Sequence, residues 1–580
     1  SVTVSGTTYN LTTATAGGNI QIDSNAAATG DVIVNATDIP TAGANNHSFD
    51  VGYSAASTPS FPPPSGPSAF SCPTDVRLAT SVQVNGDSQA AGSTGANVNG
   101  LITFDYAATG ELAAPFSKAT AGQVGSVWGL AYDNARKKLY ASAFLKRHAS
   151  FGPNGVGAIY QMDGTSATPT PSLLIDLAAQ GVDVGTNTRV AASGAVDNAN
   201  ELPIDASQPS WDKDAFAQVG KVSIGDIDIS ADGNTLWAIN LKQRELVKVD
   251  LTTNTVTGKH AITDPGCSNG EFRPWALKVH DGKVWVGTVC SAETSQQASD
   301  LKAYVQAFDG STFTTATSFA LNYPKGSVGN GPSDEKWQPW TNTYKTLAAN
   351  PSFAIYPQPI LSDIEFDMDG SLILGFMDRM GHQVGSANYT PNHPDTTIVQ
   401  GQTGGDIIRV CNNNGKYELE NNATCTSGST DGKDKGQGPG NGEYYWGEMW
   451  DFNQWNADGG FHQETSFGGL AFKAGSGEIA LTAMNPLNPN ANAGGVIWLD
   501  NATGGRATNA GVQVYRQQGG TDPYFGKAAG MGDVELFCAS NTPTCSINAP
   551  TVTSTCNNNG TPSNASDDKF TYKITATGSN

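Results

Sequence analysis

No stretch of the 580-residue sequence approaches the ~18–20 consecutive apolar residues of a membrane-spanning helix. Ser1 does not open a secretion signal, so the chain reads as processed or trimmed, without a transmembrane segment. Positive charge is scarce: 32 Lys and Arg stand against 53 Asp and Glu, a formal net charge of -21. A phosphate backbone would be repelled before any local basic patch acted, which excludes nucleic acid as a partner. Charged residues of both signs make up only 15%, whereas Gly alone numbers 67. With abundant Asn, Ser and Thr, that is the composition of a strand- and turn-rich protein. The eight cysteines include no CxxC pair, so the usual zinc frameworks give way to an oxidised, exported chain. No spacing suggests a Ser–His–Asp or Cys–His set, and nucleophilic catalysis has no support.

What the sequence does have is a repeat. "WGLAYDNARKKLYASAF" (from Trp128), "DIDISADGNTLWAIN" (Asp226), "WALKVHDGKVWVGTV" (Trp275), "DIEFDMDGSLILGF" (Asp363) and "GLAFKAGSGEIALTAM" (Gly469) align as strand, tight turn, apolar strand. Each is followed by a third strand, as in "GAIYQMD" or "DIIRVCN". A sixth copy is split, with "GMGDVELFC" near the C-terminal end supplying the first strand and "VRLATSVQV" and "GLITFDYAATG" near the N-terminal end supplying the next two. The expectation is an all-β, six-bladed β-propeller over residues 72–545, its ring closed by strands from both termini. Residues 1–58 carry strand-like runs such as "NIQIDS" and "DVIVNATDI", residues 59–71 form a Pro-rich linker, and residues 546–580 include "KFTYKITATG". Both flanks read as partial immunoglobulin-like segments.

"VWGLAYDNARKKLYASAFLKRHASFGPNGVGAIYQMDG", "YPQPILSDIEFDMDGSLILGFMDRMGHQVG" and "GMGDVELFC" resemble the propeller domain near the start of large exported bacterial surface proteins. Such domains are often followed by SdrD B-like or immunoglobulin-like repeats, whose opening the stretch "TCNNNGTPSNASDDKFTYKITATGSN" resembles. The resemblance implies an adhesin-like or surface-layer role at a bacterial surface or in an extracellular assembly, without implying a chemistry.

Two constellations are candidates for a site. Aligned at their first strands, alternate repeats read Asp226-x-Asp228, Asp363-x-Glu365 and Asp533-x-Glu535, while the others read Trp128-x-Leu130, Trp275-x-Leu277 and Gly468-x-Leu470. Residues i and i+2 share a face, so the six acids point together near the central channel. There they either ring a hard cation such as calcium or accept bonds from the backbone N–H groups of the next blade. The second constellation is Arg147 and His148 with Asp378, Arg379 and His382, leaving corresponding strands in two repeats. They would collect on one face, either to capture an anionic glycan or peptide terminus or to pair with nearby acids and anchor the insertions.

For the cysteines, sequence locality favours Cys267–Cys290 and Cys411–Cys425, then Cys72–Cys538 across the split repeat and Cys545–Cys556 in the tail. The functional expectation is a non-enzymatic surface module that binds surface glycan, protein or other copies of itself. Two alternatives stand beside it: a filament subunit linked through its terminal strands, and a metal-dependent, lactonase-like hydrolase.

Overall fold

The computed structural model describes residues 76–538 except 114, 195, 269, 330–334, 451–461, 508–510 and 519–521. Beyond that span it describes seven short strands: Val2–Val4, Thr7–Leu11, Tyr53–Ala55, Ser546–Ile547, Thr551–Asn557, Lys569–Thr575 and Gly578–Ser579. The expected strands in "NIQIDS" and "DVIVNATDI", the Pro-rich linker, and the Cys72–Cys538 and Cys545–Cys556 bridges lie outside the described residues. The chain divides into two compact units, Ser1–Ser65 with Pro543–Asn580, and Gly66–Thr542. In the first, Thr551–Asn557 pairs antiparallel with Lys569–Thr575, and Thr7–Leu11 lies between Val2–Val4 and Tyr53–Ala55.

The second unit is all-β and propeller-like. Each aligned repeat folds into one sheet of successive antiparallel strands. The first sheet runs from Val127–Asp133, the second from Ile224–Ile229, the third from Phe272–His280, the fourth from Pro359–Phe366 and the fifth from Ser466–Phe472. In the sixth sheet Met531–Cys538 pairs with Val76–Val82, which pairs with Asn99–Asp105, so strands from opposite ends of the unit complete it. Gly110–Glu111 then crosses to the fifth sheet and pairs parallel with Val512–Arg516. Each leading strand packs against the next, and that of the sixth sheet packs against that of the first. Such closure covers edges that would otherwise offer unpaired N–H and C=O groups.

Apolar residues fill the space between sheets, as the doubly buried strand Leu372–Asp378 illustrates. The leading strands share a further feature. All six carry a register shift in their pairing with the second strand, between Val127 and Leu130, Ile224 and Ile227, Pro274 and Leu277, Leu361 and Asp363, Ser466 and Leu470, and Met531 and Val534. A bulge there leaves residues unpaired and re-aims their side chains and amides, at the positions where the acids and their partners stand. Two of the expected disulfides are formed, Cys267–Cys290 and Cys411–Cys425.

Candidate functional site

The six acids do meet at the leading strands, and their partners are backbone amides of the following sheet. Asp226 accepts the Leu277 N–H at 3.0 Å and Asp228 the Val279 N–H at 2.7 Å. Asp363 accepts the Leu470 N–H at 2.7 Å. Asp533 and Glu535 accept the N–H groups of Leu130 and Tyr132 at 3.1 and 3.2 Å. The second oxygen of Asp226, Asp228, Asp363 and Asp533 holds the N–H of the residue that follows it. One pattern therefore recurs three times, an acidic strand gripping the amides of a Trp-x-Leu or Gly-x-Leu strand. Each of these bonds satisfies an N–H on the open edge of a leading strand, which stands at the end of its sheet and has no strand on that side to accept it.

Lys278, which the sequence reading did not single out, joins the acids. Its ammonium reaches Glu365 at 2.8 Å. Burial works against its charge, yet Glu365, Asp228 and Glu535 together hold its pKa well above the ordinary lysine value. Deeper in, Asp226, Asp363 and Asp533 are buried at 3–5% exposure. Burial, then repulsion from Glu365, pushes Asp363 up to about 7. Asp226 and Asp533 are driven well above the carboxylate range by burial and by Asp363. Shared protons and one lysine thus accompany the acids, and the cavity they line has a volume of about 10 Å³, room for about one water.

Aromatic side chains of the leading strands also meet between sheets. Trp128 and Trp275, from the first and third sheets, meet edge to face with ring centroids 5.5 Å apart, and Phe144 packs on Trp275 at 5.8 Å. These sheets are not neighbours, so the contact crosses the axis. The third position in this set is Gly468, where a Cβ would lie 2.2 Å from Ser362 Oγ. At φ of +86° and with Ser362 and Met377 this close, the position admits only glycine.

The other constellation also comes together, but in the interior. Arg147, His148, Asp378, Arg379 and His382 are all 0% exposed. Their partners correct the expected ion pairing with nearby acids: the two guanidinium groups grip mostly backbone carbonyls. Arg147 donates to the carbonyls of Trp211, Gln383 and Tyr389, the last two at 2.7 and 2.8 Å. Arg379 donates to those of Val219 and Thr341 at 2.9 and 2.8 Å, and to Gln358 Oε1 at 2.9 Å. Asp378 caps the helix Arg379–Val384 by accepting the Met380 N–H. His148 bridges Ser210 Oγ and the Val384 carbonyl, and His382 packs against Phe144. Burial lowers both arginines to about 9 and holds both histidines well below their ordinary value. The group locks the insertions carrying Trp211, Val219 and Tyr389 onto the sheets. Five donors in a fixed fork suit a guanidinium to collecting carbonyls from several loops. Among the described residues no helix is long and apolar enough to cross a membrane.

No protein-family model matches the chain. Among curated proteins it is similar to colossins of Dictyostelium discoideum. It is 27% identical to Colossin-A over 435 residues, covering 72% of this chain and 3% of that protein. It is 24% identical to Colossin-B over 495 residues, covering 80% and 11%, and 25% identical to Colossin-D over 448 residues, covering 72% and 41%. The chain thus spans less than half the length of these relatives. Among solved structures it is similar to the periplasmic gluconolactonase of Pseudomonas aeruginosa, at 11% identity and a TM-score of 0.34 over 80% of this chain and 100% of that one. A nidogen–laminin complex is similar at 9% identity and a TM-score of 0.33, over 80% and 100%.

Proposed function

We propose that the second unit is a six-bladed β-propeller serving as a non-enzymatic structural and binding module of an exported protein, at a cell surface or in an extracellular assembly. The observation that carries this reading is that the acids of the leading strands are engaged by backbone amides around a cavity of about 10 Å³. The central channel is where a propeller hydrolase would hold a metal and polarise a carbonyl. Here the leading strands carry the Trp128–Trp275 contact and an acid–amide ring, and the cavity those acids line has a volume of about 10 Å³. The axial carboxylates act as cement between sheets, because their oxygens already hold backbone N–H groups. Binding then falls to the loops, where partners would be surface glycans, proteins or other copies of the chain. Two disulfides support an oxidising compartment, as does the resemblance to propellers of exported bacterial surface proteins.

The test is a lactone-hydrolysis panel on the purified chain with and without calcium, beside the Asp363→Asn variant. The reading expects no turnover above background in either protein. Turnover by the wild-type chain that Asp363→Asn abolishes would replace it with the lactonase alternative.

A further inference from the structure

Away from the axis, the structure gathers four carboxylates that the proposed module does not use. Asp406 opens the strand Asp406–Asn413, Glu443 follows the turn Pro439–Asn441, Glu448 ends the turn Trp446–Glu448, and Glu464 stands just ahead of the leading strand Ser466–Phe472. All four are at most 1% exposed. One oxygen from each lies within 4.8 Å of the others.

Three of them are held in the same lopsided way. Asp406 Oδ2 accepts the Tyr323 hydroxyl at 3.0 Å, Glu443 Oε2 the Gln437 side-chain amide at 2.5 Å, and Glu448 Oε2 the Ser466 N–H at 2.8 Å. Their remaining oxygens, both oxygens of Glu464 and Oε1 of Gln437 have no hydrogen-bond partner among the described residues. Six buried oxygens are thus reached by no donor among the described residues and face only one another, Asp406 beside Glu443 and Glu448 beside Glu464, where folded proteins leave very few such groups. Backbone is brought close beside them by glycine: at Gly326, with φ of +120°, a Cβ would lie 2.2 Å from Glu464 Oε1 and 2.9 Å from Gln437 Oε1. Among the described residues, the cations that act on the group are Lys325, on Asp406, Glu448 and Glu464, and Arg506, on Glu448. Lys325 is the one shared by several of the carboxylates, and four buried acids exceed what it balances.

We propose that Asp406, Glu443, Glu448 and Glu464, with Gln437 Oε1, form a binding site for one calcium ion. An all-oxygen set without His or Cys selects a hard cation over zinc or copper. Calcium takes six to eight oxygens at about 2.3–2.6 Å, so its ligands stand at most ~5 Å apart, and these four lie within 4.8 Å of one another. Magnesium sits at ~2.0–2.1 Å in a strict octahedron and keeps several waters, which a wholly buried acid set does not suit. The ion would tie the insertion carrying Glu443 and Glu448 to the fourth and fifth sheets, through Asp406 and Glu464.

The experiment is calcium titration of the full chain after chelator stripping, followed by melting temperature and by calorimetry. Expected are one calcium per chain and a raised melting temperature. Glu464→Gln and Glu443→Gln should each weaken binding at least tenfold, whereas Asp363→Asn at the axis leaves it unchanged. Calcium without effect on melting, tighter binding of magnesium, or affinity unchanged in both glutamine variants would overturn the site. The calorimetry needs no variant, so it decides even where the substitutions prevent folding.

Discussion

Asp363 and Leu470 lie 107 residues apart in sequence, yet the carboxylate of one holds the backbone N–H of the other at 2.7 Å. Through this bond the fourth sheet grips the fifth, and its counterparts from Asp226 and Asp533 grip the third and the first. Asp363→Ala would orphan the amides of both Leu470 and Ile364, at about 1–3 kcal/mol each. Asp363→Asn keeps one acceptor oxygen and should cost less than half as much. Chemical denaturation of both variants checks the order, and equal stabilities would refute it.

Lys278 gives the axis a pH signature. In Lys278→Met, Glu365 and Asp363 lose their cation while staying buried, so their pKa values, already raised in the folded chain, rise further. A carboxyl whose folded pKa exceeds its unfolded value stabilises fully at low pH and loses that contribution as pH climbs through the folded value. The variant should therefore approach wild-type stability near pH 4.5 and fall behind by about 2 kcal/mol at pH 8. That figure is discounted because the lysine keeps 24% exposure. Melting curves across that range read it directly.

Arg379 separates an anchor from a ligand-binding residue. Lysine in its place cannot reproduce a fork that reaches Val219, Thr341 and Gln358 together. We expect Arg379→Lys to cost about 2 kcal/mol through orphaned buried carbonyls, read as a lower denaturation midpoint. A fully stable variant would return the residue to a binding role.

Removing the Cys411–Cys425 bridge, which spans a sequence separation of 14, should cost about 3 kcal/mol on the chain-entropy account. The double alanine variant, measured under oxidising conditions, tests this without exposing the other bridge to reductant.

The axial acids were legible in sequence because strands alternate with period two and the same offset recurs in alternate repeats. Even their partners were visible: the positions aligned as Trp128-x-Leu130, Trp275-x-Leu277 and Gly468-x-Leu470 are the strands that donate the amides. Lys278 was not, because one lysine on a polar face looks like any solvated residue until the sheets bring Glu365 and Asp228 to it. The bulges in the leading strands were hidden as well, since no sequence period marks where a ladder skips. Arg147 and Arg379 were correctly grouped, but their carbonyl partners lie in insertions without periodicity. Asp406, Glu443, Glu448 and Glu464 escaped for the same reason: three of the four fall within or beside the Gly- and Asn-rich stretch 426–465, which read only as loop.

The central claim is that amide–carboxylate bonds, with Lys278 as their counter-charge, hold the axis together without an ion. Hydrogen exchange of the leading strands Val127–Asp133, Phe272–His280 and Ser466–Phe472, with calcium and after chelation, tests it most directly. The account predicts strong protection of the Leu130, Leu277 and Leu470 amides in both conditions. Loss of that protection on chelation in the Glu464→Gln variant, where the other calcium site is already weakened, would show an ion at the axis and contradict it.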